Sequence, residues 1–396
     1  MIPAVIIAGG RGSRLSPATL NLPKPLVDIN GNPFIYYLVQ QLFKAGVRKI
    51  TILAGYLGNE FNEVCGELEN DFQGLKIEIH VSSPSLNTGE RLMKSLDQLD
   101  DRFIFLYGDN YAPFDVRAYL DGADKQKNLG AMVVYRNDDN YSNSNVVIDA
   151  NNRVISYGKE VSENSKAEHV DVGYFILNKN QIKSLEIKPN SHFGNDILSQ
   201  LISQNHIWAK TILCRYYTVG SMERLQSSRL FFQKQSFVLI DRDGVLNEKQ
   251  PQGTYVENES QFHWREGSLS GLKLLKEHGF RVVVITNQAG VGRGVFDLDS
   301  LDKVHQTMCR DVRAAGGEIE YIYVCPHHWE DECNCRKPKP GMLIQAQKDL
   351  MIDLTQTYFI GDDDRDGQAA DAAGCLFKLV TPDERLDQVV SKLFQF

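Results

Sequence analysis

The sequence has no excess of basic residues and no long apolar run. Its 396 residues carry 43 lysines and arginines against 51 aspartates and glutamates, a net charge of −8, whereas general nucleic-acid binders usually present a basic face. No stretch approaches the roughly 20 apolar residues that a transmembrane helix needs. The amino terminus lacks the basic segment of a signal peptide. These absences predict a cytoplasmic protein with no nucleic-acid partner and no membrane partner.

Low-complexity segments, Pro- or Ser-rich tethers and internal repeats are also missing. Two domains are the default expectation for a chain of this length. Apolar runs alternate with helical spacing through both halves, which predicts an α/β architecture with mostly parallel sheets. A helix over Met222–Gln233 ends before a new strand at Ser236–Ile240. We therefore place one domain at residues 1–232 and a second at residues 236–396; the oligomeric state stays open.

Two carboxylates, Asp241 and Asp243, directly follow the predicted strand Ser236–Ile240. In an extended chain, side chains two residues apart point the same way. Two close carboxylates repel each other unless a cation or a shared proton relieves the repulsion, and Mg²⁺ prefers carboxylate, phosphate and water oxygens. Asp241 is therefore a candidate nucleophile, and Asp243 a candidate general acid and base. The alternative is a strand-end pair that only binds backbone amides.

Three later segments carry groups that suit a phosphoryl group and its metal ion. Thr286-Asn287-Gln288 places a hydroxyl and two amides at a second strand end. Arg336 and Lys337 supply cations that could hold a phosphoryl group during transfer. An acidic turn beginning at Asp362 follows another strand and suits a metal ion. Nucleophile, threonine, basic residue and acidic turn, in this order, resemble the haloacid dehalogenase-like hydrolases.

The resemblance implies a role for each of these side chains. Asp241 would be phosphorylated, Asp243 would be the general acid and base, and Thr286 and Lys337 would hold the phosphate. Asn287 and Arg336 are substrate-binding candidates.

The same resemblance implies a magnesium site in this half. Asp241 and Asp362 would bind Mg²⁺ together with the backbone carbonyl of Asp243. Asp363 and Asp366 are weaker candidates, because either could instead cap the following helix.

A short loop between these motifs has the pattern C-x-H-x5-C-x-C, formed by Cys325, His327, Cys333 and Cys335. Three thiolates and one imidazole complete a tetrahedral zinc site, and a site closed by four protein ligands is structural. His328 is the competing imidazole; we favour His327 for its C-x-H spacing. Chance clustering of reduced thiols is the alternative. The loop makes this half similar to the D,D-heptose 1,7-bisphosphate phosphatase and histidinol-phosphate phosphatase group, and both members share it.

A glycine-rich turn follows the predicted strand Ala4–Ala8 in the first half. Glycines let backbone amides approach phosphates closely, and nearby cations can neutralise a triphosphate. The turn and the cations after it comprise Gly9, Gly10, Arg11, Gly12, Arg14 and Lys24.

The string G-G-x-G-x-R-L-x-P…P-K-P-L resembles the sugar-1-phosphate nucleotidyltransferases, which implies a Rossmann-like domain. Arg14 would stabilise the departing pyrophosphate, and Lys24 would bind phosphates of the reactants. The segment Asn87, Thr88 and Gly89 would contact base and sugar. Asp109, in a G-D motif, would bind Mg²⁺.

One expected carboxylate is missing from the first half. The family usually places a second metal-binding aspartate near the end of the domain, where this sequence has Thr218. The substitution leaves two interpretations open: the metal depends on Asp109, phosphates and water, or the domain binds a nucleotide sugar without turning it over.

Together the halves predict two steps of activated heptose synthesis. The phosphatase would remove the 7-phosphate of a heptose 1,7-bisphosphate, and the transferase would attach a nucleotide to the remaining 1-phosphate. The expected partners are sugar phosphates and a nucleoside triphosphate; GTP is inferred from pathway analogy alone. The alternatives are another sugar bisphosphate, a histidinol phosphatase with an unrelated passenger domain, or a phosphatase regulated by a non-catalytic first domain.

Overall fold

The computed structural model describes residues 2–10, 12–16, 19–126, 129–158, 161, 167–233, 235–251 and 253–396. The chain forms two compact units, Met1–Gln233 and Lys234–Phe396. None of the helices in these described ranges is both long enough and apolar enough to cross a bilayer. The predicted α/β class is confirmed in both units.

The first unit is built around a mixed nine-stranded sheet with the path β10-β9-β11-β6-β1-β4-β5, from which β8 and β12 branch at β11. Strands β6, β1, β4 and β5 are mutually parallel, whereas β11 runs antiparallel to β6 and β8. The strands are β1 (Ala4–Ala8), β2 (Asp28–Ile29), β3 (Asn32–Pro33), β4 (Lys49–Ala54), β5 (Lys76–Val81), β6 (Arg102–Tyr107), β7 (Asn110–Tyr111), β8 (Gly130–Arg136), β9 (Val146–Ile148), β10 (Val154–Tyr157), β11 (His169–Asn178), β12 (Ile207–Ile212) and β13 (Tyr217–Thr218).

Helices cover this sheet and enclose an apolar core. The α-helices are Phe34–Lys44, Phe61–Asp71, Thr88–Ser95, Val116–Asp124, Lys179–Lys183, Ser199–Ser203 and Met222–Phe231, with a π-helical turn at Phe193–Leu198. Strand β1 is buried along its whole length, because it lies between two parallel neighbours, β4 and β6, and helices cover both faces of the sheet there. The glycine turn therefore begins at the point where β1 leaves the core.

The second unit contains one parallel sheet of five strands in the order β16-β15-β14-β17-β18. The strands are β14 (Ser236–Ile240), β15 (Phe280–Asn287), β16 (Tyr321–Cys325), β17 (Tyr358–Gly361) and β18 (Leu376–Leu379). The helices are Ser268–Glu277, Ala289–Gly292, Leu298–Ala314, Gly341–Leu350, Asp364–Ala373 and Leu386–Phe394. Since all five strands are parallel, the polar segments that follow them meet at one edge of the sheet.

Candidate active sites

The carboxyl ends of the central strands of the second unit bring the predicted phosphatase residues together. Asp241 follows β14, Thr286 lies at the end of β15, and Asp362 follows β17. Asp241 and Thr286 are buried, at 7% and 0% exposure. Residues separated by more than 100 positions therefore share one site because their strands are neighbours.

Lys337 occupies the centre of this site. Its Nζ lies 2.8 Å from Asp241 Oδ1 and 2.8 Å from Asp366 Oδ1, and it donates to the Ile285 carbonyl at 2.9 Å. Burial opposes the charge of Lys337, but the two carboxylates outweigh burial and raise its pKa above the usual value. The ammonium group is therefore held charged, facing the candidate nucleophile.

Three carboxylates, from Asp241, Asp362 and Asp366, place one oxygen each within 4.8 Å of the others. Burial raises the pKa of Asp241 to about 8, Lys337 opposes this shift, and Asp366 adds to it. Burial also raises the pKa of Asp362, against the effect of Lys249. Asp362 Oδ1 is buried and has no hydrogen-bond partner within the described ranges. Crowded carboxylates with an unused buried oxygen form a donor set that fits Mg²⁺.

Asp366, a weaker metal candidate in the sequence, has two roles in the structure. Its Oδ2 accepts from the backbone N–H groups of Asp362 and Asp363, at 3.2 Å each, which completes a capping box with Asp363. Its Oδ1 faces Lys337. Helix capping and a place in the carboxylate cluster are therefore compatible, although the sequence presented them as alternatives.

The side chain of Asp243 lies among hydrogen-bond donors, apart from the carboxylate cluster. Arg242 Nη2 contacts both of its oxygens at 2.9 Å, Asn247 Nδ2 donates to Oδ1 at 3.0 Å, and Gln288 Nε2 donates to Oδ2 at 2.7 Å. Burial raises the pKa of Asp243, but the charge of Arg242 and these hydrogen bonds outweigh it and hold the pKa below the usual value. The structure therefore favours an ionised Asp243.

The remaining predicted residues surround the nucleophile in different ways. Thr286 Oγ1 accepts from Gln288 at 2.8 Å. Asn287 pairs reciprocally with the main chain of Lys337, at 3.1 Å in both directions, so it orients Lys337. Arg336 lines a cavity of about 650 Å³ together with Asn287 and Asp243, and its Nη1 is buried without a partner in the described structure. Arg336 therefore remains available to an anion.

The four predicted zinc ligands converge where β16 ends. Sγ of Cys325 lies 3.7 Å from Sγ of Cys333, which lies 3.5 Å from Sγ of Cys335. His327 Nδ1 lies 3.1 Å from Cys335 Sγ. A tetrahedron with Zn–S bonds of about 2.3 Å has edges of about 3.8 Å, so this spacing fits zinc. The competing His328 instead accepts a hydrogen bond from the Glu330 amide at 3.2 Å.

A second cavity, of about 390 Å³, opens at the carboxyl end of β1 in the first unit. The predicted residues that line it are Gly9, Gly10, Gly12, Arg14, Lys24, Thr88 and Asp109. Arg11, the other predicted cation of the glycine turn, lies outside the described residues. The cavity thus combines backbone amides, two cations and one carboxylate, a set that suits phosphates and a metal ion.

Lys24 and Asp109 form an ion pair at this cavity. Thr218 lies beside them, because β13 pairs with β7 in the register Thr218 to Asn110 and Val219 N–H donates to the Asp109 carbonyl at 3.1 Å. Gly220 completes the same wall. Thr218 therefore lies on the strand next to Asp109, two residues before the cavity-lining Gly220.

Two of the predicted base- and sugar-contacting residues do not line the cavity. Asn87 Nδ2 donates to the Asn190 carbonyl at 2.8 Å, and Gly89 N–H donates to the Ser191 carbonyl at 2.9 Å. A Cβ at Gly89 would lie 2.8 Å from that carbonyl oxygen. Both residues therefore attach the start of helix Thr88–Ser95 to residues 190–191, and Thr88 alone of the three reaches the cavity.

Sequence reasoning missed Arg91, which is 1% exposed just behind the glycine turn. Its guanidinium donates to the Ala54 carbonyl at 2.6 Å, to the Ser83 and Leu86 carbonyls at 3.1 Å each, and to Ser82 Oγ. A Cβ at Gly9 would overlap the guanidinium. The only signal in the sequence is a charged residue on the inward face of a helix; its partners come from distant loops.

Comparison with known proteins agrees with this division into two sites. Residues 3–232 match the family described as nucleotidyl transferase, and residues 236–374 match polynucleotide kinase 3 phosphatase. The D-glycero-beta-D-manno-heptose-1,7-bisphosphate 7-phosphatase of Neisseria meningitidis is 42% identical over 137 residues, which are 35% of this chain and 72% of that protein. Its counterpart from Photorhabdus laumondii is 37% identical over 143 residues, 34% of this chain and 74% of that protein.

A solved structure shares the fold of the first unit. HddC from Yersinia pseudotuberculosis, in complex with GMP-PN, is 22% identical with a TM-score of 0.50, and the match covers 59% of this chain and 100% of HddC. The predicted resemblances to both enzyme groups are confirmed. The chain therefore belongs to the nucleotidyl transferase family through residues 3–232 and to the D-glycero-beta-D-manno-heptose-1,7-bisphosphate 7-phosphatase family through its second unit.

Proposed function

We propose that this chain catalyses two steps of activated heptose synthesis. The second unit removes the 7-phosphate of D-glycero-D-manno-heptose 1,7-bisphosphate, and the first transfers a nucleotide from GTP to the remaining 1-phosphate. The buried contact of Lys337 with Asp241 and Asp366 carries the proposal, since it places a cation against a nucleophile in a family of heptose bisphosphate phosphatases. Phosphate removal by the second unit yields a sugar 1-phosphate, which is the acceptor that the nucleotidyl transfer in the first unit requires.

Phosphate removal begins with Asp241. Its carboxylate oxygen attacks phosphorus and the bond from phosphorus to the sugar oxygen breaks, which leaves a phosphoaspartate. Asp243 is ionised in the free site, so it must take up a proton when the negatively charged substrate binds; it then gives this proton to the departing oxygen. Lys337 and Thr286 hold the phosphoryl oxygens, with charge placed before the reaction begins.

The second half-reaction returns the enzyme to its starting state. Asp243, now a carboxylate, takes a proton from water; the water oxygen attacks phosphorus, the acyl phosphate bond breaks and inorganic phosphate leaves. The ring of donors around Asp243 supports this step, because Arg242, Asn247 and Gln288 all stabilise the ionised carboxyl group.

Two metal ions complete the proposal. Asp241, Asp362 and the Asp243 backbone carbonyl would hold Mg²⁺ in the second unit, with Asp366 close by, and Asp109 would hold Mg²⁺ in the first. Magnesium bound there would offset the negative charge of carboxylates and phosphates. Zinc on Cys325, His327, Cys333 and Cys335 would be structural, because four protein ligands leave no open position. Reduced thiols and a nucleoside triphosphate substrate both favour a cytoplasmic enzyme.

Nucleotidyl transfer takes place in the cavity that Gly9, Arg14 and Lys24 line. A sugar phosphate oxygen attacks the α-phosphorus of GTP and the bond to the β-phosphate oxygen breaks, releasing pyrophosphate. Arg14 and Lys24 would neutralise the phosphates, and catalysis would come from positioning and charge neutralisation.

The test supplies heptose 1,7-bisphosphate and magnesium with GTP, CTP, UTP or ATP in turn, and follows phosphate and pyrophosphate separately. We expect phosphate in every case and pyrophosphate chiefly with GTP. If phosphate is released but none of the four triphosphates yields pyrophosphate, the transferase half of the proposal is refuted. A preference for histidinol phosphate over heptose 1,7-bisphosphate as phosphatase substrate would refute the heptose assignment. Asp241→Asn should abolish phosphate release and leave pyrophosphate release from supplied heptose 1-phosphate intact.

A further inference from the structure

Arg242, between the two aspartates of the phosphatase motif, is a buried cation whose three guanidinium nitrogens each have a hydrogen-bond partner. It is 0% exposed, and a buried charge is costly unless it is paired and hydrogen-bonded. One side of its guanidinium binds the Asp243 carboxylate at 2.9 Å. On the other side, its Nη1 lies 3.1 Å from His305 Nε2.

His305 is a histidine in the middle of helix Leu298–Ala314 and is 8% exposed. A guanidinium has only donors, so His305 Nε2 must accept the hydrogen bond and the ring must be neutral. Burial, and then the charge of Arg242, lower the pKa of His305 to about 3, whereas Asp243 opposes this effect. The imidazole is therefore a neutral acceptor throughout the neutral pH range.

A neutral acceptor is the group that this position requires. It satisfies an N–H of Arg242 that would otherwise be buried without a partner, which is unfavourable. A carboxylate there would compete with Asp243 for the guanidinium. The imidazole leaves the positive charge directed at Asp243 and fixes the plane of the guanidinium from behind.

We propose that His305 is a positioning residue for the phosphatase reaction. His305 holds the guanidinium of Arg242, and Arg242 in turn holds the Asp243 carboxylate in the position from which it activates water. The proposal rests on the proposed function of the second unit. It assigns His305 mainly to the second half-reaction, in which Asp243 acts as a carboxylate, because the side chains of Arg242, Asn247 and Gln288 all donate hydrogen bonds to its oxygens.

This role predicts a kinetic signature that general destabilisation does not produce. With p-nitrophenyl phosphate the leaving group departs without a proton, so formation of the phosphoaspartate depends little on Asp243. Hydrolysis of the phosphoaspartate still needs Asp243 as the base. A variant that releases Arg242 should therefore form the intermediate normally and hydrolyse it slowly.

The experiment compares His305→Leu and His305→Gln with Met308→Leu, a buried apolar change on the same helix. Stopped-flow measurement with p-nitrophenyl phosphate should show a burst of p-nitrophenolate in His305→Leu at the wild-type rate. The turnover that follows should be lowered about 10- to 100-fold, a part of the usual contribution of a general base. His305→Gln, whose amide oxygen can accept from Arg242, should recover much of the turnover. Met308→Leu should keep the wild-type ratio of burst rate to turnover.

The outcomes separate this inference from the function on which it rests. Wild-type turnover in His305→Leu would overturn the role of His305. The role would also be overturned if the burst rate and the turnover fell by the same factor in both His305→Leu and His305→Gln. If His305→Leu does not fold, as judged by thermal unfolding, His305→Ala takes its place in the same comparison with His305→Gln, and the same outcomes decide. A wild-type chain that releases no phosphate from any phosphomonoester would instead refute the proposed function.

Discussion

Lys337 Nζ lies 2.8 Å from Asp241 Oδ1, and the two side chains are only 3% and 11% exposed. The contact links Asp241, the proposed nucleophile, to a lysine two residues after Cys335. Asn287 holds the main chain of Lys337 on both its N–H and its carbonyl. The position of this one ammonium group therefore depends on β15 and on the loop after β16.

Replacement of Lys337 by Met should lower phosphatase kcat by about 100-fold or more, because it removes a cation that stabilises charge in the transition state. Pyrophosphate release by the first unit should not change. Lys303→Met, an exposed lysine on helix Leu298–Ala314, is the matched control. Phosphate release within a few-fold of wild type in Lys337→Met would contradict the role of Lys337.

Loss of the zinc site should affect the second unit alone. Cys333→Ser removes one ligand, and the loop from Cys325 to Cys335 leads directly to Arg336 and Lys337. We expect zinc content, measured by mass spectrometry, to fall from about one ion per chain to near zero, with a lower Tm and little phosphate release. Cys309→Ser, outside the cluster, should retain all three properties. A zinc-free Cys333→Ser with normal Tm and activity would show that the site does not support the fold.

Thr218→Asp should strengthen the metal site of the first unit. Thr218 pairs with Asn110, the neighbour of Asp109, so an added carboxylate would be a second oxygen donor for Mg²⁺. We expect the magnesium concentration for half-maximal pyrophosphate release to fall about 10-fold, the lower end of the usual effect of a metal-site residue. Thr218→Asn adds similar volume without charge and should not have this effect. If both variants behave alike, charge at this position is irrelevant.

Arg91 should position the wall of the nucleotide cavity. It ties the Ala54, Ser83 and Leu86 carbonyls together, so Arg91→Met removes one charged hydrogen-bond donor from each of them, a loss of about 1.5–3 kcal/mol per bond at most. The Ala54 carbonyl still accepts from the Ser82 N–H. We expect KM for the nucleoside triphosphate to rise about 10-fold and stability to fall. Arg91→Lys should restore part of the KM effect, and Lys94→Met, exposed on the same helix, should have none. A fall in stability with unchanged KM would make Arg91 purely structural.

Asp171 should make the stability of the first unit depend on pH. Burial raises its pKa from 3.8 to about 6, against hydrogen bonds from Gly173 and Tyr157. The folded state therefore binds the proton more tightly than the unfolded state does, and stability falls as pH rises from about 4 to 6. A shift of this size corresponds to about 3 kcal/mol.

Urea unfolding of wild type and Asp171→Asn across this pH range measures the Asp171 effect. The difference between the two free energies of unfolding should change by about 3 kcal/mol between pH 4 and pH 7 and then level off. A constant difference would show that Asp171 has an ordinary pKa in the folded protein.

The chemistry of both sites could be predicted from the sequence because the groups lie in short segments at strand ends. Asp241 after β14, the glycines after β1 and the C-x-H-x5-C-x-C loop are local patterns, and their spacing alone indicates nucleophile, phosphate loop and zinc ligands. Parallel strands bring such segments to one edge of a sheet whatever the intervening sequence. Strands β1 and β14 have the predicted bounds, since buried parallel strands are continuous apolar runs. The long antiparallel strand β11 was not predicted.

Only the tertiary structure decided which partner each charged group has. The sequence offered His327 and His328, Asp363 and Asp366, and an Arg242 with no assigned role. Packing brings together residues far apart in the chain: Arg242 and His305 are separated by 63 positions, and Arg91 and Ala54 by 37. A buried charge must find its partner wherever the fold provides one. The chain's own pattern therefore determined the two reactions, whereas the fold determined the side chains that hold their reacting groups in place.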